Sequence, residues 1–260
     1  MSPSHPPFQL ETILTPLELP SLPERDLSET CCVVFDILRA TTTIVTALAN
    51  GAEALLPVDD IPGALAVRAA DPSVLLAGER DGRRIRRALT GSVDFEFGNS
   101  PREFTPERVR GQRIVSTTTN GTRALRACRN AKSLLAASFT NLEATARWIL
   151  SHPHTAVLLV CSGTGSHLAY EDLLAAGALG DRLLDATARP PEDDATRAAQ
   201  LLYRGAASRL PMAIAESRNG RRLMAIPELA ADVPLCAARD LHALVVASGP
   251  EGWLRRSVPA

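Results

Sequence analysis

The sequence predicts an α/β protein, a three-layer α/β/α arrangement around a parallel or mixed sheet. Three observations carry that prediction. Short apolar runs rich in Val, Ile and Leu alternate with Ala- and Leu-rich helical stretches along most of the chain. A plan of apolar strand, small polar loop and helix occurs three times, starting near Cys31, Arg113 and Thr155, as expected of βα units with helices on both faces of a sheet. A length of 260 residues, 45% hydrophobic and 22% charged, suits one large or two small globular domains.

Taken in order, residues 1–30 are rich in Pro and polar groups and read as an N-terminal extension with one edge strand near Phe8–Leu14. Cys31–Phe35 is short, apolar and β-rich, a buried strand with Asp36 at its end. Ile37–Thr43 form a loop and helix entry. From Ile44 the pattern is helical, with Ile44, Ala47 and Leu48 at one-turn spacing and Asn50-Gly51 as the stop. Ala54–Val58 is a strand, Ile61–Ala70 a helix ended by Asp71-Pro72, and Ser73–Ala77 a strand delivering Gly78-Glu79. Residues 79–110 form a long connection dense in Arg, Gly and turn signals. Its Phe95, Phe97 and Phe104 argue that it packs, and a packed connection of that length is usually functional. Next come a strand at Arg113–Val115, a helix through Leu125 to Arg129, a strand at Ser133–Ala137 and a helix at Asn141–Ser151. Thr155–Cys161 is a strong buried strand, followed by Ser162–Ser166 and a helix carrying Glu171-Asp172. Residues 188–195 are a Pro-rich break, and the chain is helical to about Leu229. Val233–Ala237 and Leu244–Ala247 are expected as strands before a short tail. Residues 31–187 thus read as an α/β core and 188–260 as a mostly helical part packed on it. The stretches starting at Ala40 and Ser116 echo one another, each with a Thr triplet, a short helix and an apolar strand. Duplication and the common look of βα units both explain this.

A net charge of −1 leaves no electrostatic footprint for nucleic acid or an anionic membrane. Lys132 is the only lysine, so a cation that binds an anion here should be an arginine. The N-terminus lacks the basic flank and apolar run of a secretory signal, and no stretch approaches the ~20 apolar residues of a membrane span. Five scattered cysteines, odd in number, fit reduced thiols in a cytoplasmic protein. With no CxxC pair and no HExxH helix, zinc is not expected.

Two stretches point to anion chemistry. Asp36 opens onto a hydroxyl-rich helix start, including Thr41 and Thr42, where open α/β sheets place ligands and free amides favour anions. A capping cluster that merely starts the helix is the plain alternative. The loop Thr117-Thr118-Thr119-Asn120-Gly121-Thr122 joins hydroxyls, a glycine and a helix start, the makings of a phosphate cradle. It has neither the Walker GK[ST] ending nor GxGxxG. Asp36 and Glu79 stand at strand ends, with Glu171 and Asp172 on a helix. Mg²⁺ is commonly held by one or two carboxylates plus substrate phosphate oxygens. Cys161 could be a thiolate nucleophile, but His167 stands where a cysteine phosphatase has arginine, so a buried thiol is the default.

Assembled in order, these residues resemble the 2-phosphosulfolactate phosphatase family, the ComB-like enzymes. The resemblance rests on Asp36-x-Leu38-Arg39-Ala40-Thr41-Thr42-Thr43 with Asn50-Gly51, on Gly78-Glu79-Arg80 with Gly82, and on Gly98-Asn99-Ser100-Pro101. Thr117–Thr122, Cys161-Ser162-Gly163 and Glu171-Asp172 complete it. It covers about residues 30–180. The resemblance implies a Mg²⁺-dependent hydrolase of 2-phospho-3-sulfolactate, a step of coenzyme M biosynthesis, and a homodimer. The residue reading and the resemblance together place Mg²⁺ on Asp36, Glu79 and Asp172, and the phosphate against Thr117–Thr122 and Arg39. Asn99, Ser100, Ser162 and Gly163 would join the substrate site, and Arg80 or a neighbouring arginine would take the sulfonate or carboxylate. Activated water and Asp36 itself both remain open as nucleophile. Because the family extends beyond the coenzyme M pathway, another small phosphorylated acid is the alternative substrate. Two rivals are a haloacid-dehalogenase-like phosphatase, whose first motif needs an Asp where Leu38 stands, and a non-catalytic anion-binding protein.

Overall fold

The structure is a computed structural model and describes residues 8–187 and 193–257. The strands are β1 (Gln9–Ile13), β2 (Thr30–Phe35), β3 (Ala54–Pro57), β4 (Leu75–Arg80), β5 (Arg83–Arg84), β6 (Arg113–Thr117), β7 (Ser133–Ala137), β8 (Ala156–Cys161), β9 (Val245–Ser248) and β10 (Leu254–Ser257). The helices are α1 (Ala40–Ala49), α2 (Ile61–Ala70), α3 (Arg87–Thr90), α4 (Pro106–Val109), α5 (Gly121–Ala127), α6 (Leu142–Ser151) and α7 (Tyr170–Thr187). Beyond the polar break lie α8 (Asp194–Ala206), α9 (Leu210–Ala215), α10 (Arg218–Met224), α11 (Pro227–Ala230) and α12 (Asp232–Cys236).

The ten strands of the described residues form one mixed sheet in the order β1-β8-β2-β7-β9-β10-β3-β6-β4-β5. β1, β8, β2 and β7 pair in parallel, as do β3, β6 and β4. The two parallel sets are joined by antiparallel pairing through β9 and β10. Read outward from that central pair, the order is β7-β2-β8-β1 on one side and β3-β6-β4-β5 on the other. The two Thr-triplet segments follow β2 and β6, which occupy equivalent places in the two halves. The echo in the sequence therefore falls on a two-fold pattern in the sheet.

β2 and β6 are five inter-strand steps apart in that order, about 24 Å across a flat sheet. Yet a Cβ on Gly121, just past β6, would lie 2.7 Å from Asp36 Oδ2, just past β2. The sheet therefore curls around α1, in which every residue from Ala40 to Leu48 is buried. This explains why α1 has no polar stripe: a helix enclosed on all sides must be apolar or satisfy its own hydroxyls. It does both. Ile44, Val45 and Leu48 join a core drawn from both halves of the sheet. The hydroxyls of Thr41, Thr42, Thr43 and Thr46 donate to the carbonyls of Asp36, Ile37, Asn99 and Thr42. A second core lies between the other face and α6, α7 and the C-terminal helices, giving three layers.

The expected elements through α7 are present, with ends shifted by a few residues. The connection at 79–110 packs as expected: Phe95, Phe97 and Phe104 are buried, and β5, α3 and α4 are short regular pieces within it. Two readings of the C-terminal part need correction. Val233–Ala237 is not a strand; Asp232–Cys236 is α12. Pro234 lies in its first turn, where proline is tolerated, whereas a central strand would need its missing N–H. The expected short tail instead contains β10, whose residues Leu254-Arg255-Arg256-Ser257 offer no alternating apolar signal. It lies at the middle of the sheet. The predicted break at 188–195 falls mostly outside the described residues.

Candidate functional site

The loop after β2 positions Asp36. Its amide donates to Thr41 Oγ1 at 3.0 Å, and that hydroxyl donates back to the Asp36 carbonyl at 3.0 Å. The Ala40 amide donates to Asp36 Oδ1 at 3.1 Å. The carboxylate thus lies at the first turn of α1, on the floor of a cleft that it lines with Glu79, Asn99, Thr118, Thr119 and Asn120. Gly121 is required beside it, because any side chain there would collide with Asp36 Oδ2 and the Ala40 methyl, both 2.7 Å from the Cβ position.

Glu79 ties the loop after β6 to the β4–β5 turn. Its Oε1 accepts from the amide and hydroxyl of Thr119 at 3.1 and 3.0 Å, and its Oε2 accepts from the Gly82 amide at 2.7 Å. The Thr117–Thr122 loop is therefore held by a carboxylate from the adjacent strand end. Thr118 Oγ1 lies buried in the cleft lining without a hydrogen-bond partner among the described residues. A buried hydroxyl left unpaired costs ~1–3 kcal/mol, which a bound oxyanion would recover. Asn120 Oδ1 accepts from the Gly165 amide, joining this loop to the one after β8.

Behind Asp36 lies a second acidic layer. Asp172 accepts from the Ile37 amide at 2.8 Å and the Gly163 amide at 3.0 Å, which links the loops after β2 and β8. It does not face the cleft. Gly163 (φ +65°) makes this turn, with Pro16 and the His167 carbonyl filling the space a side chain would need. Glu171 is also buried. Its Oε1 accepts from Asn219 Nδ2 at 2.6 Å, and its Oε2 has no partner among the described residues. Ser162 Oγ is likewise buried and unpaired.

The arginines divide into spent and available. Arg39, 3% exposed, donates to Asp232 Oδ2 at 2.6 Å and to the Gly82 carbonyl at 3.0 Å. Asp232 is fully buried and also accepts from Ser100 Oγ and Arg102 Nε. This network fastens α12 beneath the cleft. Arg80 bonds the carbonyls of Glu79 and Thr117 and the Thr117 hydroxyl, and it is not part of the cleft lining. Arg222, on α10, does line the cleft.

Burial pushes the Asp36 carboxyl up to about 6. The Ala40 amide opposes this, and the charges of Glu79 and Glu171 add to it. Burial, with the Asp36 and Glu171 charges, also holds Asp172 well above the usual carboxylate range. The carboxylates raise one another because like charges converge in a buried site. Among the described residues no cluster of three or more His, Cys, Asp or Glu side chains is arranged to hold a metal. The donor set fits a hard cation that takes one or two carboxylates and draws its other oxygens from water and substrate, as Mg²⁺ does. The unpaired Glu171 oxygen and the raised Asp36 carboxyl are the observations that fit it.

Of the residues anticipated from sequence, Asp36, Arg39, Glu79, Asn99, Thr118, Thr119 and Asn120 line one cleft. Gly121 packs against Asp36, and Thr122 donates to the Thr118 carbonyl. Thr41, Thr42, Thr117, Ser100, Ser162, Gly163 and Asp172 stand behind the wall and shape it. Cys161 is fully buried, and burial keeps its thiol well above its ordinary range, so no thiolate faces the cleft. All five cysteines are free and buried. Sequence reasoning missed Asn219, Arg222, Leu223 and Ile226, which form the remaining wall from the C-terminal third. The capped start Ser217-Arg218-Asn219-Gly220 was the available signal for a helix there.

Comparison with known proteins identifies the family. The profile of the 2-phosphosulpholactate phosphatase family matches residues 17–249. A probable 2-phosphosulfolactate phosphatase of a Synechococcus species is 39% identical over 95% of this chain and 99% of its own length. Proteins of the same description are 38% identical in a Cyanothece species, over 85% of this chain and 89% of the relative, and in Thermotoga petrophila, over 82% and 86%.

Proposed function

The chain belongs to the 2-phosphosulfolactate phosphatase family, a family of phosphoric monoester hydrolases, and we propose that it hydrolyses 2-phosphosulfolactate to sulfolactate and phosphate with Mg²⁺ as cofactor. The observation that carries the reading is the single cleft in which Asp36, Glu79 and the Thr118–Asn120 loop meet from separate parts of the chain. The phosphoryl group lies against the Thr118 hydroxyl and the loop amides at the start of α5. There, fixed donors meet its negative oxygens without reorganising. Asp36 and Glu79 would hold Mg²⁺, with Glu171 behind them, and the ion supplies charge neutralisation at phosphorus when bound. Asp36 must be ionised for that, so binding the ion displaces a proton at pH values below about 6. Glu79 holds the Thr119 loop against the β4–β5 turn through its bonds to Thr119 and Gly82. Cys161 takes no part.

Among the described residues no helix is long and apolar enough to cross a membrane. A cytoplasmic homodimer is the further expectation, which sedimentation of the purified protein addresses. Release of inorganic phosphate from a panel of small phosphorylated acids, with Mg²⁺ and with chelator, tests the function. Metal-dependent release from 2-phosphosulfolactate supports it. Tight binding without release from any ester would identify a non-catalytic anion-binding protein instead.

A further inference from the structure

The substrate proposed above carries two kinds of anion, a phosphate and a sulfonate with a carboxylate, and the cleft must receive both. The phosphate end is accounted for by Asp36, Glu79 and the threonine loop. The arginine expected to take the second anion, Arg80, lies outside the cleft lining and has both terminal nitrogens bonded to Glu79 and Thr117. Arg39 is engaged by Asp232 and Gly82. Arg222 is the cleft-lining guanidinium that donates no hydrogen bond to another described residue. It is half exposed, and its one ionic neighbour, Asp81 at 3.7 Å, is 96% exposed at the tip of the β4–β5 turn. The pair therefore spans the mouth of the cleft from α10 to the turn.

The local structure fixes where Arg222 stands. Ser217 caps α10 by accepting from the Gly220 amide at 3.0 Å. A Cβ on Gly220 would lie 2.0 Å from the Ile214 carbonyl, so glycine lets α10 dock closely on α9. Asn219 then donates to both Thr164 Oγ1 and Glu171 Oε1, at 2.6 Å each, which pins the helix to the loop after β8. Arg222 follows three residues later, on the same face as Asn219.

Resting on the phosphatase reading, we propose that Arg222 is the specificity-determining residue that receives the substrate's second anion, and that Asp81 holds it across the cleft mouth until the substrate's acid takes its place. The exchange is favourable because an exposed pair at this separation is weak. A planar guanidinium paired two-to-two with a carboxylate or sulfonate is a stronger, directional contact. Charge count is conserved, since one anion replaces another.

Steady-state kinetics of Arg222→Gln, Arg222→Lys and Asp81→Asn on 2-phosphosulfolactate and on p-nitrophenyl phosphate, which has no second acid, test this. Arg222→Gln is expected to raise KM for 2-phosphosulfolactate roughly 10- to 100-fold, the loss of a charged hydrogen-bond pair, with kcat changed less than about threefold. Arg222→Lys recovers part of that loss, and Asp81→Asn lowers KM. On p-nitrophenyl phosphate the Arg222→Gln loss in kcat/KM is several-fold smaller than on 2-phosphosulfolactate. Equal losses on both esters, or a loss confined to kcat, would overturn the assignment. Calorimetric binding of sulfolactate to parent and Arg222→Gln separates this from failure of the phosphatase reading, because it needs no turnover. At least tenfold weaker binding by the variant supports the assignment. Equal binding, or no binding by the parent, overturns it.

Discussion

Replacing Asp36 by Asn should stabilise the protein while abolishing its chemistry, and the gain should depend on pH. The Asp36 carboxyl has an ordinary value of 3.8 and is pushed up to about 6, chiefly by burial and then by Glu79 and Glu171. A carboxyl raised on folding makes the folded state bind more protons than the unfolded one, so stability falls as pH rises from about 4 to about 6. At about 1.4 kcal/mol per pH unit, ionised Asp36 costs about 3 kcal/mol at pH 8 and about 1 kcal/mol at pH 4.5. Asn removes that slope while its side-chain oxygen can still accept the Ala40 amide. Urea unfolding of metal-free protein should therefore show the Asn variant gaining about 2 kcal/mol on the parent between pH 4.5 and pH 8. The parent should regain ground on addition of Mg²⁺, and the variant should not. A difference between the two proteins that stays constant with pH, or shrinks as pH rises, would refute the claim that Asp36 is an uncompensated buried charge.

Three further outcomes follow from the packing. Gly121→Ala places a methyl against Asp36 Oδ2 and should cut kcat at least 100-fold while costing ~1–3 kcal/mol in urea unfolding, so activity suffers more than folding. Asp232→Ala leaves Arg39 buried without a counter-charge and should destabilise by ~3–5 kcal/mol, read from the same unfolding curves. Cys161→Ala removes a buried thiol that takes no part in the chemistry, so phosphate release should be kept, and its loss would revive a thiolate mechanism.

Much of the fold was legible because each βα unit declares itself locally. The apolar run at Cys31–Phe35 and the helix at Ile61–Ala70 need no tertiary information. Asp36, Glu79 and the threonine loop stood out as polar groups at strand ends, and the structure gathers them in one cleft. What the sequence hid depends on curvature and on distant partners. A curled sheet brings β2 and β6 together although four strands lie between them, and no local pattern encodes that closure. The Thr41 and Thr42 hydroxyls look like an anion cradle in sequence. Enclosure of α1 turns them inward to carbonyls instead. Arg39 and Arg80 look available until Asp232 and Thr117 are placed beside them. Arg222 lies in a segment whose only local signal is a capped helix, and its role depends on where α10 docks.

The most direct test of the central claim is a crystal structure of the protein with sulfolactate, phosphate and Mg²⁺. The account predicts phosphate against the Thr118 hydroxyl, the metal ion between Asp36 and the phosphate, and the sulfolactate acid groups facing Arg222. Ligand seated elsewhere, such as the hollow between Leu56, Arg126 and Arg129, with the Asp36 cleft empty, would contradict it.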